Sequence, residues 1–231
     1  MAYDFCVGRA AHYPIAFLGQ WSGTLVRDEY SAYDSVVKLH ARKAAGCLAH
    51  ARRKFDELVK DNRSPVATAA VQRIALIYRV EREASVDRGM DAEDRLAHRQ
   101  AKARPLWEEL FVWLRLERSR VADGSAIAKA LDYSINHWAA LTANLQDGRV
   151  PIDNNHIENL MRPWAMGRKA WLFCGSELAG QRAAVVMSLV MSAKLNGHDP
   201  WAYLKDVLTR LPTHMNSRIE ELLPHRWLPR G

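Results

Sequence analysis

Between residues 61 and 147 the chain changes its periodicity, and that change limits what it can fold into more than any other feature. The segments VATAAVQRIALIYRVEREAS, DAEDRLAHRQAKARPLWEELFVWLRLERSR and SAIAKALDYSINHWAALTANL all space their apolar residues for helices. Leu106, Leu110, Trp113 and Leu114 form one stripe, and Ile127, Leu131, Ile135, Trp138 and Leu141 form another. No strand pattern interrupts them, and Gly89, Pro105 and Gly124 punctuate the run into three or four helices. Trp107, Trp113 and Trp138 are expected in the core rather than as platforms for stacked bases. Glu81, Arg82, Glu83, Glu117, Arg118 and Arg120 read as helix surface charges.

Before this block the texture is α/β. Residues 1–7 alternate Tyr3, Phe5 and Val7 with smaller or polar residues and read as a strand, residues 12–21 as a short amphipathic helix, and residues 24–27 as a second strand ending at Asp28. Residues 44–49 read as a short buried strand, followed by a helix over 52–60 with Phe55, Leu58 and Val59 inward. Sites in α/β sheets gather at the carboxyl edges of strands, which makes Asp28 a candidate metal ligand. A turn aspartate capping the next segment fits its local sequence equally well. Asp34 and Glu29 are expected in solvent.

After the block, Pro151, Asp153, Asn154 and Asn155 form a turn and helix-start cluster, and the helix beyond it carries Glu158 and Arg162 on one face and is expected to stop at Pro163. Arg168, Lys169, Trp171 and Phe173 come next. A carboxylate beside basic and aromatic residues suits a place where a metal and a nucleic-acid backbone meet, because the metal needs hard oxygen ligands and the phosphates need cations. A capped helix with an ordinary salt bridge and a basic turn is the plainer alternative. Residues 180–196 read as a strongly apolar helix ended by Asn196-Gly197, and Asp199 and Pro200 start another. Pro212, Pro224 and Pro229 then break up a tail, IEELLPHRWLPRG, expected to lie on the surface of something.

The balance of 33 Lys+Arg against 26 Asp+Glu, a formal net charge of +7, favours an acidic partner, of which nucleic acid is the commonest. His50, Arg52, Arg53 and Lys54 are clustered cations that suit phosphate; a packing histidine beside a solvated basic face fits them as well. Cys6, Cys47 and Cys174 are odd in number and far apart, which argues for a reducing compartment and against a disulfide framework. Cys47 and His50 make half of a metal knuckle with no second pair at ligand spacing, so no structural zinc is expected. With no leader pattern and no apolar run long enough for a bilayer, the expectation is a cytoplasmic protein without a membrane partner.

Taken in order, Asp28 after a strand, CLAHARRKF, a helical block, PIDNNHIENLMRPWAMGRKAWLF and SLVMSAKLNGHDPWAYLKDVLTRLP resemble the transposases of the insertion sequence 66 family over nearly the whole chain. The resemblance implies an α/β fold: a truncated ribonuclease-H-like core with a large all-helical insertion, helix-rich throughout. Residues 1–60 would be the first part of the core, 61–148 the insertion, 149–197 the remainder with the glutamate helix, and 198–231 a carboxy-terminal helix and tail. It makes Asp28 the second aspartate and Glu158 the glutamate of a DDE triad, both catalytic and metal-ligating, with Asn159 standing where the family usually has arginine. Asp4 matches a later strand than the one bearing the first aspartate and is not assigned. His50, Arg52, Arg53, Lys54, Arg162, Arg168 and Lys169 are then the expected DNA contacts.

The resemblance further implies DNA transposition by metal-dependent strand cleavage and transfer. The cofactor is Mg2+ or Mn2+ at a two-ion site that this chain leaves incomplete. Its partners are element ends and target DNA, full-length transposase or other element-encoded proteins, and further copies of itself. The alternatives are a non-catalytic DNA-binding or transposase-assembly remnant, and an unrelated helical protein whose acids are only structural.

Overall fold

The computed structural model describes residues 1–28, 30–62, 64–84, 89–171 and 174–229, with the side chains of 62, 168, 169 and 171 excepted. The chain is helix-rich. In order it forms α1 (His12–Leu18), β1 (Thr24–Val26), α2 (Ala32–Val37), β2 (Lys43–Ala45), α3 (Leu48–Asn62), α4 (Pro65–Glu83), α5 (Ala92–His98), α6 (Arg104–Arg120), α7 (Ala126–Asn136), α8 (Trp138–Leu141), α9 (Asn155–Trp171), α10 (Glu177–Leu195) and α11 (Pro200–Arg210). It divides into two compact units, Leu18–Asn159 and Met1–Phe17 with Leu160–Gly231. None of these helices is long and apolar enough to cross a membrane, among the described residues.

In the first unit β1 and β2 pair in parallel, Thr24 opposite Lys43 and Val26 opposite Ala45. Parallel neighbours need a crossover, which α2 supplies. The return into β2 is tight: His40 and Ala41 both sit at φ 54, a left-handed conformation that costs roughly 1–2 kcal/mol per non-glycine residue. Arg42 holds it. Its side chain is 5% exposed and donates to the carbonyls of Gly19 at 2.7 Å, Trp21 at 2.8 Å and Val36 at 3.0 Å. These bonds tie the turn to the segments before β1 and at the end of α2.

The helical block forms the core of this unit. Phe55 of α3, Ile74 and Ile77 of α4, Trp107, Leu110 and Leu114 of α6 and Leu131 of α7 are buried together. Ala67 and Ala70 of α4 are fully buried, and such small side chains let neighbouring helices approach closely. Trp107 is buried as expected, and Trp138, itself partly buried, packs edge-on to it with ring centroids 5.3 Å apart. Trp113 is only partly buried, and the Arg73 guanidinium lies 5.0 Å from its ring. Caps obey the sequence signals: Ser64, Asp91 and Ser125 each accept a backbone N–H of the helix they start. Pro105 does not break the run. A π-helical turn, Arg99–Ala103, joins α5 to α6, and Pro105 sits in the first turn of α6, where an N–H is not needed.

That π-helical turn carries a buried cation. Arg99, 2% exposed, forms a two-pronged pair with Glu81 of α4 at 2.8 and 2.7 Å, and its remaining nitrogen reaches the carbonyls of Asn144 at 3.1 Å and Val150 at 3.0 Å. The expectation that Glu81 is a surface charge is therefore corrected: the helical period places it beside the core face, and the chain 18 residues on supplies the guanidinium. Gly148, in the clamped loop, comes so near α5 that a Cβ there would lie 1.8 Å from the Ala92 carbonyl oxygen, so only glycine fits.

In the second unit residues 1–7 form no strand, contrary to the alternation in their sequence. Serine hydroxyls on α10 take their polar groups instead: Tyr3 N–H donates to Ser188 Oγ at 2.8 Å, and Ser192 Oγ donates to the Met1 carbonyl at 3.0 Å. The Phe5 ring occupies the space that a side chain at Gly180 would need. Nor does the helix from Asn155 stop at Pro163, which lies inside α9. Proline there removes one intrahelical bond, to the Asn159 carbonyl, and the good helix formers Leu160, Met161, Ala165 and Met166 carry the helix on. The tail lies against α10 and α11. Leu222 and Trp227 are buried with Ala193, Tyr203 and Val207, Tyr203 Oη donates to the Leu222 carbonyl at 2.8 Å, and Trp227 Nε1 donates to Asp206 at 2.7 Å. Asp199 caps α11 with Pro200 in its first turn, as its sequence predicts.

Replacing Arg99 with Ala strands the Glu81 carboxylate in the core and frees the loop carbonyls. A loss of about 3–5 kcal/mol is expected from denaturant unfolding monitored by helical circular dichroism. Arg118→Ala, at an exposed pair with Asp123 and Asp132, should move the midpoint far less.

Candidate functional site

The site grows from the carboxyl ends of the two strands. Past β2 the chain turns directly into α3, with Gly46 N–H bonded to the Ala140 carbonyl at 2.8 Å and Leu48 N–H to the Ile152 carbonyl at 3.0 Å. Cys47 is buried, and its sulfur receives the Asn154 N–H at 3.5 Å. Burial pushes its thiol up, against the opposing pull of the backbone N–H groups of Asn154, His50 and Ala49. The half-knuckle Cys47/His50 is thus an anchor for the loop before α9.

Asp153 provides the second anchor. It accepts from Tyr78 Oη at 2.8 Å and from Asn155 N and Nδ2 at 3.1 and 2.9 Å. Burial, then the Asp153 charge, hold the Tyr78 phenol well above its ordinary range. So Tyr78 stays a donor, and α9 starts at a fixed point on the helical core.

Glu158 lies in the first turn of α9, where a carboxylate also favours the helix dipole. His50 lies in the first turn of α3, and its Nε2 is 3.4 Å from Glu158 Oε1. The His50 side chain is 16% exposed and that of Glu158 is 49% exposed. Asp28, two residues beyond β1, is partly buried; its Oδ1 takes the Tyr30 N–H at 3.4 Å, and its charge, after burial, helps raise the Tyr33 phenol.

Asp28 and His50 line one open cleft of about 450 Å³ with Tyr30, Arg53, Lys54, Glu57 and Tyr133. Lys54 Nζ lies 4.4 Å from the Tyr133 ring centroid, a cation–π distance. The cleft is mixed in sign: Arg53 and Lys54 line it beside the carboxylates of Asp28 and Glu57. Carboxylates suit a hard cation and basic side chains suit phosphate oxygens.

Of the expected DNA contacts, the structure gathers His50, Arg53 and Lys54 here. Arg52 turns aside to Asp56, with Nε 3.4 Å from Oδ2. Arg162 is exposed on α9 in the other unit, the side chains of Arg168 and Lys169 fall outside the described residues, and so does Phe173. Asp34 is exposed yet paired with Arg27 at 2.9 Å; Glu29 lies outside the described residues. Sequence reasoning misses Glu57 and Tyr133. Glu57 is one helical turn beyond Arg53, a signal the spacing offers, whereas nothing local marks Tyr133.

Among the described residues no group of three His, Cys, Asp or Glu side chains is arranged to hold a metal ion. Asp28 lines the cleft, whereas Glu158 meets one of its lining residues, His50; both offer the hard carboxylate oxygens that Mg2+ or Mn2+ takes, commonly one or two with water and substrate phosphate. A second ion calls for a further carboxylate.

Comparison with known proteins gives a consistent picture. Residues 1–182 match the model described as Transposase IS66 family, and residues 188–225 match the IS66 C-terminal element. Three curated relatives come from Sinorhizobium fredii. The uncharacterized protein y4hP is 36% identical over 236 residues, which covers 95% of this chain and 42% of the relative. The uncharacterized protein y4jD is 37% identical over 235 residues, 98% and 45%, and the uncharacterized protein y4qI is 37% identical over 237 residues, 99% and 43%. The chain therefore spans less than half the length of these relatives. No solved structure matches it.

Tyr78→Phe removes one of the bonds that fix the start of α9. Opening of its first turn should become easier by about 1 kcal/mol, seen as roughly fivefold faster amide hydrogen exchange at residues 155–158, while the core of α6 is unchanged.

Proposed function

The chain belongs to the IS66 transposase family, and from that premise we propose that Asp28 and Glu158 are two of the metal-binding carboxylates of a DDE-type catalytic site on a ribonuclease-H-like core. The supporting observation is the placement of His50, which lines the cleft with Asp28 and touches Glu158, at the carboxyl ends of two parallel strands. The helical block between the strands and the glutamate helix is then an insertion that supplies one wall of the cleft through Tyr133.

The reaction is hydrolysis of a phosphodiester at an element end, and then attack of the freed 3′-hydroxyl on a phosphodiester of target DNA, with one P–O bond formed and one broken at each stage. A divalent cation at such a site activates the attacking oxygen and takes up charge on the leaving one. Asp28 and Glu158 would hold it. Arg53 and Lys54 neutralise backbone phosphates, and the Tyr133 ring restrains the Lys54 ammonium on the cleft wall. With only Asp28 and Glu158 matching the family's triad, a two-ion reaction needs a further ligand, so strand transfer by these 231 residues alone is expected to be weak or absent.

A second reading, a non-catalytic DNA-binding or assembly protein, is favoured by the lack of a three-ligand group among the described residues. It requires DNA binding that needs no magnesium and survives Glu158→Gln.

Binding to duplex DNA should weaken as salt rises, and Arg53→Ala and Lys54→Ala should each lower the log–log salt slope by about 1, measured by fluorescence anisotropy. In a nicking and joining assay on a labelled element end with Mg2+ or Mn2+, a version extended upstream to the length of the relatives should act and its Glu158→Gln form should not. Undiminished activity in the Glu158→Gln form removes Glu158 from the chemistry.

A further inference from the structure

We infer that His50 is a positioning residue for Glu158, holding the carboxylate through an Nε2–H donated to Oε1, and is not itself a phosphate or metal contact. The inference rests on the reading of Glu158 as a metal ligand and names what orients that ligand.

Three observations carry it. First, Nε2 is the ring atom that faces Glu158 Oε1, at 3.4 Å; such contacts in ligand-free sites are often long and tighten when substrate binds. Second, Nδ1 is buried and has no hydrogen-bond partner among the described residues. An imidazole with one proton places it where an acceptor exists, which is on Nε2, because a buried N–H with no acceptor is the costlier arrangement. That tautomer makes His50 a donor toward the carboxylate. Third, the two residues are carried on helix starts that are fastened to each other: Cys47 takes the Asn154 N–H, and the Leu48 N–H is bonded to Ile152. The imidazole is largely enclosed while Glu158 is half exposed on a flexible side chain. The fixed partner therefore restricts the mobile one, and Oε2 is left to take a ligand. Partners of this kind, bonded to a metal ligand rather than to the metal, typically change affinity by about 10–100-fold when removed.

The geometry separates two conservative substitutions. His50→Gln puts an amide nitrogen near the Nε2 position, whereas His50→Asn puts it near Nδ1, too short to reach Glu158. Mn2+ binding to the purified chain, read by electron paramagnetic resonance at millimolar metal, should stay within about twofold of the parent in His50→Gln and weaken about tenfold in His50→Asn. Glu158→Gln should weaken it most. Long-range 1H–15N spectra of the unsubstituted chain should show the His50 proton on Nε2. Equal binding by the Asn and Gln forms, both folded by circular dichroism, or a proton on Nδ1, overturns the inference and leaves the Glu158 assignment standing. Unchanged binding in Glu158→Gln, or no binding by the parent chain, overturns the carboxylate reading itself, and the ring spectrum still decides whether His50 faces Glu158 as a donor.

Discussion

A guanidinium cannot be taken out of water unless its donors are met, and the Arg99 side chain is almost wholly out of water. Meeting them fixes Glu81 on α4 and the carbonyls of Asn144 and Val150 at once. The loop that carries those carbonyls leads straight into Ile152–Asn155, which Leu48, Cys47 and Tyr78 then hold. Glu158 comes one turn later. The position of the candidate ligand thus depends on a charge buried in the helical block, with every bond between them a short-range one. A buried ion pair of this kind is weak evidence for extra stability, since an apolar replacement of the same shape can do as well. What it supplies here is a single register for the loop.

The same logic recurs on a smaller scale at Arg42, where three carbonyls hold a strained return between α2 and β2 and tie it to the segment before β1. Asp28 lies two residues beyond that strand. Two cations that do not line the cleft thus anchor segments that lead to Asp28 and Glu158, whereas Arg53 and Lys54 line it. Arg52, one residue before Arg53, illustrates the division: on the helix it falls toward Asp56, 3.4 Å away, and does not line the cleft.

Much of this is legible in the residues, and the reasons differ by position. The stripe through Leu110 and Leu114, the cap at Asp199 and the strand ending before Asp28 are written within a few neighbouring residues, so period and capping chemistry reveal them. Residues 1–7 alternate as a strand does, yet alternation only says that one face is apolar; serine hydroxyls of α10 satisfy that backbone without a ladder. Pro163 reads as a stop because proline removes a bond, but one lost bond is small against the remaining intrahelical bonds and good helix formers of a 17-residue helix. Glu81 looks like its charged neighbours Arg82 and Glu83, and only its place one step nearer the core makes it different.

The sequence by itself determined the helical block, the two strands before it, the cap at Asp199 and the motifs that mark the family, since each is local or a matter of residue identity. Tertiary structure decided which faces meet: Glu81 with Arg99, Cys47 with Asn154, His50 with Glu158, Lys54 with Tyr133. Those partners are separated by 18 to more than a hundred residues. Helical and strand periods repeat over a few residues and carry no information about a partner at that distance. The pairing comes from the packed core, which brings the polar groups within reach and then requires that each one be answered.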